Sequence, residues 1–262
     1  MTPERFTVRA KDGVEISVQK AGSGPPLLLI HGSLLNGSIS WGAVLPILAE
    51  HFTVYAMDRR GRAPSGDATE YSLQVEADDI AGVVAAIGLR VVILGHSYGA
   101  LASLAALDRL INISHLILYE PPVTLESVET DVVANMERTL EAGDREQLVI
   151  TFLRDMVRVP PERISNLASS PIWPMMLQIS PTLPREARAV LAYRPSAEHL
   201  ANWRAPTTML LGSTTAGPLR DAAFFVRDHI PNCRIVILEG QGHGANLDAP
   251  DFFADKILEI AK

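Results

Sequence analysis

Apolar and polar residues alternate over residues 6–10 and 14–20, on either side of Asp12-Gly13. That period of two, broken by a turn dipeptide, predicts an opening β-hairpin. The pattern then changes to short, mostly apolar runs at 26–30, 52–57, 91–94 and 113–119, as expected of strands buried on both faces. Between them lie stretches of helical pattern at 41–50, 72–87 and 100–110. Ser72 is placed to cap the second of these and Gly88 to stop it. The alternation fails after Tyr119. Residues 121–205 read as helices broken by prolines, with ten of the chain's 18 prolines from Pro121 to Pro206. Strand, helix, strand and helix then return at 207–211, 219–229, 234–238 and 250–260.

Repeated strand–helix alternation with apolar strands predicts an α/β fold: a mostly parallel, doubly wound sheet of about eight strands covered by helices. The chain divides into a core of residues 1–120 and 206–262 and a helical cap of 121–205, inserted after the sixth strand. Ligands of open α/β sheets bind at the carboxyl ends of the strands. An insertion at that edge is expected to act as a lid and to shape a substrate pocket.

At 262 residues the chain is long enough for a sizeable core without cross-links. Its net charge of -7 argues against nucleic-acid or anionic-membrane partners. A single cysteine, Cys233, rules out an intrachain disulfide, and its apolar surroundings read as core. Residues 1–5 lack the apolar stretch of a signal peptide, and no run is long enough to span a bilayer. The expectation is a cytoplasmic protein with a small-molecule substrate. Monomer and homodimer are both open.

Candidate chemistry is concentrated at Gly95-His96-Ser97-Tyr98-Gly99. A G-x-S-x-G run between a strand and a helix is a nucleophile elbow, which exposes the serine hydroxyl at a helix N-terminus. A serine needs a base. The best placed is His243, in the glycine-rich segment Gly240-Gln241-Gly242-His243-Gly244 after the last strand. An oxyanion hole needs two backbone N–H donors: Tyr98, next to the nucleophile, and Ser33, in His31-Gly32-Ser33 after the strand 26–30. Asp58, Arg59 and Arg62 read as ion pairs tying loops together, and Asp78 and Asp79 as solvated helix positions. Met136, Met156, Met175, Met176 and Trp173 fit either the cap's core or an apolar pocket.

These segments resemble the α/β-hydrolase superfamily over nearly the whole chain. His31-Gly32-Ser33, Asp58-Arg59-Arg60-Gly61-Arg62, the elbow and Gly240-Gln241-Gly242-His243 stand in that family's order and spacing. The resemblance implies a Ser-acid-His triad and no metal or organic cofactor. The family usually carries its acid after the seventh strand, but Gly212-Ser213-Thr214-Thr215-Ala216-Gly217-Pro218 has no carboxylate, and Asp221 lies within the next helix. Some members place the acid after the sixth strand, where this chain has Glu120. Glu120 is therefore the expected acid, against a purely structural role at the start of the cap. Asp248 is a third option, although it reads better as a cap for the final helix.

The expected activity is hydrolysis of a small, fairly apolar ester or lactone through an acyl-enzyme on Ser97. A serine at the elbow, rather than an aspartate, argues against the epoxide hydrolase and haloalkane dehalogenase branches. The missing carboxylate keeps open a non-hydrolytic alternative: ligand binding, a cyclase or lyase, or a cofactor-free oxygenase. Acyl transfer to an alcohol is a minor third reading.

Overall fold

The computed structural model describes residues 3–124 and 131–261. Eight strands, Glu4–Arg9 (β1), Glu15–Ala21 (β2), Pro26–Ile30 (β3), Thr53–Met57 (β4), Val91–His96 (β5), Ile113–Tyr119 (β6), Thr207–Gly212 (β7) and Cys233–Leu238 (β8), form one sheet. Its order is β1-β2-β4-β3-β5-β6-β7-β8. β1 and β2 form the opening hairpin, with Arg9 opposite Glu15 and Glu4 opposite Lys20. β2 also runs antiparallel to β4, and every pairing from there on is parallel.

The period of two along each strand divides the core between the two faces. Leu28 and Ile30 of β3 join Ile93 of β5 and Leu118 of β6 on one side, with the helices Leu73–Ile87, Tyr98–Ala105 and Pro218–His229. Leu27, Leu29, Leu94 and Ile117 face the other, against Trp41, Leu48, Phe253 and Ile257. Because both faces are covered, β3 is buried at every position. The chain passes from β3 outward to β4 and then back past β3 to β5. The loops after β3 and β5 thus flank the switch point, where open α/β sheets form a crevice.

The single helix expected over 41–50 is two short ones, Gly37–Trp41 and Leu45–Leu48. Gly42 lowers helix stability and Pro46 cannot donate within a helix interior, so the second helix starts with the proline in its first turn. The elbow helix also stops early, at Ala105.

Between β6 and β7 lie the helices Asp131–Glu141, Arg145–Thr151, Pro161–Ala168, Trp173–Ile179, Leu183–Ala192 and Ala197–Ala201, with a π-helical turn at Phe152–Met156. Of the predicted insertion, residues 125–130 lie outside the described ones. Three of its helices carry proline in the first turn, so those prolines start helices rather than interrupt them. The insertion has its own apolar cluster, in which Met136, Trp173 and Met176 are buried together with Leu148, Phe152 and Leu183. Leu34, from the loop after β3, is buried in it, and Leu35 of the same loop packs against it. No helix among the described residues is long and apolar enough to cross a membrane.

Candidate active site

The elbow is built by close approach. β5 ends at His96, and Ser97 sits at φ 52° and ψ −120° before the helix begins at Tyr98. A Cβ on Gly99 would lie 2.3 Å from the Ile30 carbonyl oxygen and 2.6 Å from that of His31. Only glycine lets the elbow helix tuck under the end of β3. Gly99→Ala is accordingly expected to lower stability by about 1–3 kcal/mol, read as a fall in Tm. Leu34 at φ 65° and Glu120 at φ 48° share the left-handed conformation with Ser97. All three stand just beyond the carboxyl ends of strands at the sheet's centre, and backbone strain of this kind, on the order of 1–3 kcal/mol each, collects at functional sites.

Glu120 follows β6 and is fully buried. Its Oε1 accepts from the Gly212 N–H at 2.8 Å and from the Thr215 hydroxyl at 2.7 Å. Its Oε2 accepts from His243 Nδ1 at 2.6 Å. Nδ1 therefore donates in this bond, and in the neutral imidazole Nε2 is then the lone-pair acceptor. The loop after β7 has no carboxylate, yet it supplies two of the donors that aim Glu120 at the imidazole. The other acids are elsewhere. Asp221 is exposed on its helix. Asp248 pairs with Arg163 of the insertion instead of capping the final helix.

The His243 loop is held by two residues that the sequence did not single out for this role. The Tyr119 hydroxyl donates to the Gly242 carbonyl and accepts from the Ala245 N–H at 3.1 Å. His96 Nε2 donates to the His243 carbonyl at 2.8 Å. The His96 ring is stacked on Tyr119 at 4.8 Å and lies 4.8 Å from the His243 ring. Burial, then the neighbouring His243, push the His96 pKa down to about 3, so this ring stays neutral. His96→Phe keeps the stack and removes the donor; kcat is expected to fall by about tenfold, the scale of one lost hydrogen bond. The adjacency of His96 to Ser97 brings the His243 loop over the elbow. No hydrogen bond among the described residues joins the Ser97 hydroxyl to His243; catalytic hydrogen bonds often tighten only around substrate.

Ser33 lies in the loop on the other side of Ser97. A Cβ on Gly32 would lie 3.0 Å from Ser97 Cβ, so the Gly32–Ser33 peptide runs against Ser97. His31 is buried, and its Nε2 accepts from the Arg59 N–H at 3.1 Å. Burial, followed by the charges of Arg59 and Arg62, holds its pKa well below the usual imidazole value.

Behind this loop is a buried cluster of charges. Arg59 grips Glu76 with two bonds, of 2.8 and 2.7 Å. Glu186, from the insertion helix Leu183–Ala192, accepts from Arg59 at 2.8 Å and from Arg62 at 2.6 Å through the same oxygen. Arg62 also donates to Thr182 at 2.7 Å. Asp79 corrects the sequence reading. It is 1% exposed and pairs with Arg60 rather than with water. Asp78, partly exposed, pairs with Lys11 and Arg109. Cys233 is half-buried on β8, and burial pushes its thiol up to about 11. No group of three or more His, Cys, Asp or Glu side chains among the described residues is placed to hold a metal ion.

A strained serine at a strand-to-helix elbow, with a carboxylate-bound histidine beside it, defines the class of the site. The model of the alpha/beta hydrolase family matches residues 27–256, and the chain belongs to that family. An alpha/beta hydrolase from Sphaerobacter thermophilus superposes with a TM-score of 0.89 at 33% identity, covering 98% of this chain and all of that one. A pimeloyl-[acyl-carrier protein] methyl ester esterase of Aeromonas hydrophila is 30% identical over 149 residues, 53% of this chain and 57% of that protein. A 2-(acetamidomethylene)succinate hydrolase of Mesorhizobium japonicum is 24% identical over 251 residues, 91% of this chain and 88% of that protein. Relatives of this kind support a hydrolase in general terms.

Proposed function

We propose that the protein is a serine hydrolase that cleaves a small, fairly apolar ester or lactone through an acyl-enzyme on Ser97. The observation that carries this reading is the 2.6 Å bond between His243 Nδ1 and Glu120. It orients an imidazole whose free Nε2 is the lone pair a serine nucleophile requires. Ser97 attacks the carbonyl carbon as His243 takes its proton. The negative charge that develops on the carbonyl oxygen is met by the N–H groups of Tyr98 and Ser33, which are fixed before the reaction begins. His243 returns the proton to the leaving alcohol, and water releases the acyl group by the same steps. The absence of a carboxylate after β7 was the argument for a non-hydrolytic protein; Glu120 in hydrogen-bond contact with His243 supports the hydrolytic reading over it.

The helices of 121–205 serve in this reading as a cap. They are anchored to the core through Glu186 and in contact with it through Leu34, beside the proposed oxyanion donor Ser33. The two arginines nearest the loop, Arg59 and Arg62, are already engaged by Glu76 and Glu186. That supports an uncharged substrate over an anionic one. The net charge of -7 supports a protein that acts without nucleic-acid or anionic-membrane partners.

Reaction with a fluorophosphonate probe, followed by intact-mass and peptide mapping, tests the assignment. The expected result is one adduct, on Ser97, together with turnover of p-nitrophenyl esters of short acids. Folded protein that takes no adduct and turns over no ester would overturn it.

A further inference from the structure

Arg59 takes no part in the proton transfers above, yet it touches both halves of the proposed oxyanion hole. Its Nη1 donates to the Gly32 carbonyl at 3.1 Å. His31 Nδ1 donates to the same oxygen at 2.7 Å. The His31 tautomer that makes this possible is itself set by Arg59, whose backbone N–H occupies Nε2. With two donors on it, the Gly32 oxygen has both lone pairs in use. A trans peptide is planar, so its carbonyl and the following N–H point in opposite directions. Holding the Gly32 oxygen on the arginine side turns the Ser33 N–H to the opposite side of that peptide.

The same guanidinium lies 4.2 Å from the centre of the Tyr98 ring. The Tyr71 hydroxyl spends its proton on Glu76 at 2.8 Å, so it accepts from the Tyr98 hydroxyl at 2.6 Å. Tyr98 is thereby held at its face and at its tip, which fixes the start of the elbow helix and the N–H there. Arg59 and Arg62 are balanced by Glu76 and Glu186, so the cluster has no net charge. Its effect on the hole is geometric rather than a long-range field.

We propose that Arg59 is a positioning residue of the oxyanion hole, which aims the Ser33 N–H through the Gly32 carbonyl and secures the Tyr98 N–H through the ring. This rests on the serine hydrolase reading. The bond from Glu186 to Arg59 makes the seating of the insertion part of the same assembly.

Arg59→Met removes the donor, and Glu76→Gln serves as the control. Both weaken the same buried ion pair, but only the first frees the Gly32 carbonyl. Arg59→Met is expected to lower kcat by about 100-fold, the scale of one oxyanion donor. KM should stay within about threefold, and phenylboronic acid, which forms a tetrahedral anion on the serine, should bind more weakly by a similar factor. Glu76→Gln keeps an oxygen that can accept from the Tyr71 hydroxyl and leaves the Gly32 carbonyl held; its kcat should fall at least about tenfold less than that of Arg59→Met, with a comparable fall in Tm. Arg59→Lys, which cannot reach Glu76 and Gly32 together, should fall between them and serves if the methionine variant does not fold. Losses of kcat that simply follow Tm in all three variants, or an unchanged kcat in Arg59→Met, would overturn the proposal. The Ser33 amide resonance provides a readout without turnover. It should move upfield in Arg59→Met or Arg59→Lys and stay in place in Glu76→Gln; an unmoved resonance in the arginine variants counts against the proposal. A wild-type protein with no esterase activity and no fluorophosphonate adduct would overturn the hydrolase reading instead, and the amide shift would still decide whether Arg59 sets that peptide.

Discussion

Ser97→Ala is expected to lower kcat on an activated ester by about 10⁶-fold and Glu120→Gln by about 10⁴-fold, with the fold intact in both. The gap between the two follows from what each removes. On the serine hydrolase reading, losing the Ser97 hydroxyl removes the acyl-enzyme and leaves only the proposed oxyanion donors and binding. Glu120→Gln leaves the nucleophile in place and conserves volume. The glutamine carbonyl can take over the bonds now made to Oε1 by Gly212 and Thr215. Its NH₂ must then face His243 Nδ1, where a carboxylate now accepts at 2.6 Å. A donor there favours the tautomer with the proton on Nε2, and an imidazole protonated at Nε2 cannot take the serine's proton. The expected signature is a collapse of kcat with KM nearly unchanged, and a thermal melt within a few degrees of wild type. A Glu120→Gln variant with full kcat would reduce Glu120 to a tie for the loop after β7. A large fall in Tm with kcat per folded molecule preserved would do the same.

The contact of Glu120 with His243 can be anticipated from the sequence for a local reason. A carboxylate directly after the strand 113–119 has its backbone placed by that strand, and the family's chain order leaves few alternatives. The elbow is legible for the same reason, since glycines two positions either side of a serine state the close approach that Gly99 makes to β3. The strands could be read because their apolar runs are short and bounded, and those at 26–30 and 234–238 fall within a residue of β3 and β8. What could not be read depends on residues far apart in the chain. Glu186 lies 127 positions from Arg59 and 124 from Arg62, so nothing local marks it as a buried partner. Asp79 looks like half of an acidic pair on an exposed helix until the loop after β4 folds Arg60 against it. His96 reads as part of the elbow and Tyr119 as the end of a strand, and their hold on the His243 loop exists only once β5 and β6 lie side by side under it.

Glu186→Ala is expected to cost about 3–5 kcal/mol, lowering Tm by about 10 °C, because it strips a buried cation of its counter-charge. Arg62 is fully buried, and Glu186 is the carboxylate it pairs with. The remaining acceptors around it are the Thr182 hydroxyl and the carbonyls of Leu35 and Gly61. Neutral groups recover little of the desolvation of a guanidinium, so a lone Arg62 favours states in which the insertion lifts and admits water. Arg163→Ala is the matched comparison. Its partner Asp248 also joins the insertion to the core, but the two side chains are 49% and 48% exposed. Water screens such a pair, and its loss should cost well under about 1 kcal/mol. The acid limit follows from the same cluster. Burial alone would raise the Glu186 carboxyl, but Arg62 and Arg59 outweigh it and hold its pKa below the ordinary 4.5. A carboxyl depressed on folding contributes its full stabilisation above the unfolded value and loses it as the pH falls through the folded one. The difference in Tm between wild type and Glu186→Ala should therefore be flat through neutral pH and shrink only below the usual carboxylate range. Limited proteolysis locates the effect: Glu186→Ala should expose cleavage sites within 131–201 first, whereas Arg163→Ala should match wild type. Equal losses in the two variants would mean that the buried cluster is not what seats the insertion on the sheet.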